Sequence, residues 1–276
     1  MSIFDEPKID CHNHVFDPDR FPYRADTIYR PSAQEIGTAA QFKRVMDAYG
    51  VRHALLVGPT SGYRTDNRCM LDAIAHGGGR FKGIAVVDND ASMEQLAELK
   101  AAGVVGVAFN PAMEGVASLI EAEPLLGRLA ELDLFAQVQV KEDELPALSG
   151  LIGRTRANIL IDHCGRPDPA LGLQQAGFQA LLRLAELGRV TVKLSGMQKF
   201  TRESYPYQDA QLYLRELLKA FGPDACIWGS DWPFLRAPER IDYGPLLTMF
   251  ESVIPDADAR RRVLWDTPMR LFKFAA

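Results

Sequence analysis

Three histidines and one aspartate stand out because each sits at the polar end of a short apolar run. His12 and His14 are two residues apart in Lys8-Ile9-Asp10-Cys11-His12-Asn13-His14-Val15. Side chains alternate faces along an extended chain, so the two imidazoles point the same way, with Cys11 and Asn13 expected on the opposite face. His163 follows Ile159-Leu160-Ile161-Asp162, and Asp231 follows Ile227-Trp228-Gly229-Ser230. Imidazoles and a carboxylate brought together offer two chemistries. One is acid–base catalysis on an activated water; the other is ligation of a single divalent cation by three protein donors and a water. A layer of satisfied structural histidines is the bland reading, but burying four ionisable groups without a use is costly.

Something must carry these residues to one place, and the pattern along the chain supplies it. Eight β-branched or apolar runs recur, at 8–15, 53–60, 81–87, 104–111, 134–141, 158–165, 189–196 and 225–233, separated by segments with apolar residues at helical spacing such as Leu125, Leu129 and Leu132. Eight strand–helix alternations predict a parallel (β/α)₈ TIM barrel, one domain over 1–276, with a C-terminal helical extension from Asp256 to Phe274. No GxGxxG or GxxxxGK[ST] follows a strand, which removes the nucleotide-binding open-sheet alternative. In a barrel the catalytic groups lie at the C-terminal strand ends. His12, His14, Asn110, Gln139, His163, Ser195 and Asp231 all meet that requirement. Asp10 is expected on the inward face, one layer below His12.

The 276 residues carry a net charge of −5, which gives no reason to expect nucleic acid or an anionic membrane as partner. A small-molecule ligand fits better. The N-terminus shows no basic-then-apolar leader and no apolar run reaches bilayer length, so a cytoplasmic location is expected. Four cysteines without a CxxC pair read as reduced, buried thiols. Ser195 and Ser230 lack a GxSxG elbow, which argues against a serine nucleophile. His53 and His76 read as structural. The sequence carries no signal for oligomeric state.

From Asp10 to Phe272 the chain resembles the amidohydrolase superfamily. The likeness is to its lactonase branch typified by 2-pyrone-4,6-dicarboxylate hydrolase, through DCHNHVFDP, YRP, TDN, GIAVVD, IDHCGRPD, WGSDWP and TPMRLF. The resemblance implies a (β/α)₈ barrel, hydrolysis of a lactone ring, and Asp231 as general base. His12, His14 and His163 then polarise the carbonyl. Metal-dependent members of the superfamily add a bridging lysine at the fourth strand and a histidine at the fifth, where this chain has Asn110 and Gln139, both weak donors to a divalent cation. No cofactor is therefore expected. The alternative is one divalent metal such as Zn²⁺ or Mn²⁺ on His12, His14, His163 and Asp231, in a metal-dependent decarboxylase or amidohydrolase. A non-catalytic ligand-binding barrel is the rival from another class.

Pyrone-dicarboxylate hydrolases hold their carboxylates with arginines near the fourth strand end, and 107–114 contains none. An anionic lactone is still expected as the small-molecule partner, with Arg166 and Lys199 as its anion-binding candidates. Asn110 and Gln139 would orient the ring, and Arg64 and Arg236 on neighbouring loops are further anion-binding candidates.

Overall fold

The computed structural model describes residues 2–275, so the two end positions of the expected 1–276 domain lie outside the described residues. Its frame is one sheet of eight parallel strands in sequence order: β1 (Lys8–Asn13), β2 (Val51–Val57), β3 (Phe81–Ala85), β4 (Val104–Phe109), β5 (Phe135–Val138), β6 (Ile159–Ile161), β7 (Val190–Leu194) and β8 (Cys226–Trp228). Each overlaps one of the eight apolar runs, with β2 beginning two residues before its run. Helices alternate with the strands, as a parallel sheet of neighbouring strands requires. Beyond β8 the chain pairs back onto β1: Asn13 bridges Trp232, Asp231 N–H donates to His12 O at 2.7 Å, and His14 N–H donates to Trp232 O at 2.8 Å. The sheet thus closes into a TIM barrel.

Two apolar layers follow from strand alternation. Ala54, Leu56, Val107, Val192 and Leu194 pack outward against the helices. Ile9, Leu55, Ile84, Phe135, Leu160 and Ile227 fill the lumen. The lumen is closed below by the C-terminal extension, which runs as Ala257–Arg261, a π-turn at Arg262–Asp266, and Thr267–Phe272. Phe272 and Phe274 join the lumen cluster, Phe272 meets Phe135 edge-on at 5.4 Å, and Lys82 Nζ holds the carbonyls of Phe272 and Lys273 at 2.6 and 2.9 Å. The extension is therefore part of the barrel core. No helix among the described residues is long and apolar enough to cross a membrane.

Strand β1 departs from the expected alternation. Asp10 pairs with Ala54 and Asn13 with Leu56, three steps on β1 against two on β2, which inserts one extra residue. Asn13 faces outward as expected, but Cys11 belongs to the lumen cluster together with Ile9. Asp10 points the other way, into the helix layer. There its carboxylate accepts from Tyr243 Oη at 2.9 Å, Ser230 Oγ at 2.5 Å, Ser230 N at 2.9 Å and His12 N at 3.2 Å. The bulge turns His12 inward one residue after Cys11.

Phe272 is 1 % exposed, so truncating it would open a void under the lumen. Phe272→Ala should cost about 3–5 kcal/mol of unfolding free energy, measurable by urea denaturation. A loss below ~1 kcal/mol would mean that the extension does not seal the barrel.

Candidate active site

The C-terminal strand ends open into a cavity of about 490 Å³. At its floor the Nε2 atoms of His12, His14 and His163 approach Asp231 Oδ1 at 3.7, 3.9 and 3.8 Å. Lys199 Nζ lies 2.9 Å from Asp231 Oδ2, and Gln198 Nε2 donates to the same oxygen at 2.7 Å. The four residues expected to carry the chemistry are thus in one cluster. All but His14 are essentially sealed from solvent.

Each imidazole is held from behind by a different partner. His14 Nδ1 meets Val57 O at 2.8 Å; a carbonyl only accepts, so Nδ1 carries the proton and Nε2 presents a lone pair to the cavity. His163 Nδ1 lies 3.0 Å from Ser195 Oγ, a hydroxyl able to donate to it, and its Nε2 is buried without a partner. His12 Nδ1 sits between Asp162 Oδ1 and Lys193 Nζ, each 3.2 Å away. Lys193, with no exposed surface, also reaches Gln137 Oε1 at 2.5 Å, and Gln137 Nε2 returns to Asp162 Oδ2 at 2.8 Å. A closed Lys–Gln–Asp ring therefore underlies His12.

Local backbone explains how β6 presents two functional side chains. His163, Cys164, Gly165 and Arg166 all have positive φ, at 50°, 57°, 73° and 48°. Such a left-handed run costs roughly 1–2 kcal/mol per non-glycine residue. In return it brings His163 and Arg166 to the same cavity. Gly196 makes room: with φ 65°, its Cβ position would lie 2.3 Å from His163 Nδ1.

Asn110, Gln139, Arg166 and Lys199 line the cavity as expected, as does Arg236, whose guanidinium stacks 4.0 Å over Tyr29. Arg64 does not: its side chain turns to Asp26, 3.9 Å away. Asp168 is held by Arg202 at 3.0 and 3.1 Å, leaving Arg166 free of it. Sequence reasoning missed Gln137, Asp162, Lys193 and Gln198. Gln137 shared a strand face with Gln139, and a lysine inside the apolar run Val190–Leu194 was also a signal. Asp162 was hidden because simple alternation puts it opposite His163.

Burial dominates the electrostatics. It holds the imidazoles of His12 and His163 well below their ordinary range, aided at His12 by Lys193 and at His163 by His12. Burial lowers His14 as well, against the pull of Asp231. Lys193 is lowered by burial and partly restored by Asp162. All three histidines therefore stay neutral in the folded protein where an ordinary imidazole, at 6.5, has begun to protonate. The unfolded chain takes up protons first as pH falls, so stability is at its plateau above that value and is lost below it. Thermal midpoints measured between about pH 8 and pH 5 should fall on the acid side of 6.5, and less steeply in His163→Asn; a flat profile would contradict a neutral buried cluster.

Known proteins resemble the chain over nearly its whole length. The amidohydrolase family model matches residues 9–274. The 4-sulfomuconolactone hydrolase of Hydrogenophaga intermedia is 32% identical over 271 residues, 95% of this chain and 88% of the relative. The 2-pyrone-4,6-dicarboxylate hydrolase of Comamonas testosteroni is 30% identical, over 96% and 89% of the two chains. The crystal structure of the probable 2-pyrone-4,6-dicarboxylic acid hydrolase of Acinetobacter baumannii, with citric acid bound, superposes with a TM-score of 0.88 at 28% identity, covering 97% of this chain and 99% of that one. With the family model spanning the barrel from β1 through the closing extension, the chain belongs to the amidohydrolase family.

Proposed function

We propose that the protein opens the ring of a small carboxylated lactone, with Asp231 as the base that activates water. It is a hydrolase of cyclic esters, like the relatives named above. The observation that carries the mechanism is the convergence of three imidazole Nε2 atoms on one carboxylate oxygen at the cavity floor. A water there gives one hydrogen to Asp231 Oδ1 and the other to the lone pair that Val57 enforces on His14 Nε2. Its oxygen attacks the lactone carbonyl carbon as Asp231 takes the proton. His163, receiving a hydrogen bond from Ser195 at Nδ1, keeps a proton on Nε2 and donates it toward the tetrahedral oxyanion. The ring C–O bond then breaks, Asp231 returns the proton to the departing ring oxygen, and the product is the open hydroxy acid. Arg166 and Lys199 hold the substituent carboxylate, and Asn110 and Gln139 orient the ring.

His12, His14 and Asp231 also form a donor set for one divalent cation, with His163 adjacent. Such an ion would supply Lewis-acid polarisation of the carbonyl. Two features favour metal-independent work: Asp231 Oδ2 is already held by the Lys199 ammonium and the Gln198 amide, and β4 and β5 end in Asn110 and Gln139.

Ring opening is tested by a screen over sugar lactones, muconolactones and pyrone carboxylates. Asp231→Asn preserves shape and should lower kcat by about 10²–10⁴ on whichever lactone is opened; turnover near wild type would remove Asp231 from the mechanism. Dialysis against a chelator should leave roughly half the activity or more, while a loss restored by zinc or manganese would assign the site to a metal.

A further inference from the structure

The cavity is divided by charge. Among the described residues no charged side chain lines it from Val57 to Met113, the stretch that runs from the end of β2 to the short helix after β4. Its cations Lys141, Arg166, Lys199 and Arg236 all come from the loops after β5, β6, β7 and β8. Where the uncharged side meets β5, two primary amides stand together. Phe109 pairs with Val138 across β4 and β5, so Asn110 and Gln139, the next residue on each strand, lie side by side. Backbone bonds fix their level: Gln139 N–H donates to Phe109 O at 3.0 Å, and Ala112 N–H donates to Gln139 O at 3.1 Å. Thr60 and Ser61, on the loop after β2, add two hydroxyls to this side. Asn110 Oδ1 is buried without a hydrogen-bond partner.

An amide oxygen only accepts, so what completes Asn110 Oδ1 is a donor, and neither a carboxylate nor a sulfonate has one. Were the amide turned, its N–H groups would seek an acceptor instead. A hydroxyl serves either face, because it both donates and accepts. A carboxylate would serve the turned face alone, and would give up its water there on a side that carries no cation. The match to this wall is therefore a neutral group that hydrogen-bonds in both senses.

We propose that Asn110 and Gln139 determine specificity by reading a ring hydroxyl: the substrate is a hydroxylated sugar-acid lactone whose hydroxyls face the ends of β4 and β5, and a lactone with a second anionic group in their place is rejected. This rests on the lactonase reading and names the substrate class within it. A ring without hydroxyls displaces water from both amides and returns no hydrogen bond, which is how a polar site discriminates more sharply than an apolar one.

The test uses three lactones built on one five-membered ring with one carboxylate: the dihydroxy lactone of a pentaric acid, the same ring without hydroxyls, and the same ring with a second carboxylate in place of a hydroxyl. Each kcat/KM is divided by the rate at which hydroxide opens that lactone, which removes differences in intrinsic reactivity. Wild type should favour the dihydroxy lactone roughly 10- to 100-fold over either of the others, and in Asn110→Leu and Gln139→Leu that ratio should fall at least about fivefold. A residue that merely shapes the wall would lower all three rates and leave the ratio in place, which overturns the proposal. So would a wild-type preference for the bare or the dicarboxylated ring, while the lactonase reading stands. A wild-type protein that opens none of the three and no lactone of the wider screen would overturn both.

Discussion

The barrel closes through two backbone hydrogen bonds, Asp231 N–H to His12 O and His14 N–H to Trp232 O, and these also align the side chains of the proposed site. A sheet of eight strands leaves two edges unless the first and last meet, and here the meeting point carries the His12, His14 and Asp231 cluster. Gly229 permits it, since a Cβ there would lie 2.6 Å from His12 Cβ. Asp10 reinforces the seam from outside by accepting from both strand ends, at His12 N and Ser230 N. The separation of Asp231 from the two β1 imidazoles is therefore inherited from barrel closure, which spares the site the cost of ordering flexible loops.

Beneath that seam the floor is polar where a lumen is ordinarily apolar. Lys193, Asp162 and Gln137 satisfy one another with no water needed, which is the condition under which a buried network stabilises. Replacing one member would strand the others as unpaired buried groups. His12 thus rests on a support that cannot be altered piecemeal.

Much of this was legible in the sequence because it follows from periodicity. Eight apolar runs became eight strands, and His12, His14, His163 and Asp231 fell at their ends as barrel topology demands. Legibility failed where the backbone breaks its own period. The extra residue in β1 sent Cys11 into the lumen and Asp10 to Tyr243, against strict alternation. The left-handed run after β6 put Asp162 and His163, neighbours in sequence, into the same site. Neither a bulge nor four successive positive φ values has a reliable residue signature; only Gly165 among them is a glycine. Arg64 was misplaced for a different reason, a local pairing with Asp26 that spacing cannot foresee.

The left-handed run also divides labour around the barrel. From β6 to the loop after β7, residues 159–199 hold His163, Arg166, Ser195 and Lys199, the groups proposed to read substrate charge and polarise the carbonyl. His12, His14 and Asp231, the groups proposed to activate the water, lie across the closure seam on a separate arc. A contiguous cassette of about a seventh of the chain could thus be exchanged between homologous barrels without cutting through the seam. Its turn must travel intact, because one inserted residue would rotate His163 and Arg166 apart. On the proposed roles, recombination within the family would retune which lactones are opened while the hydrolytic cluster is inherited unchanged.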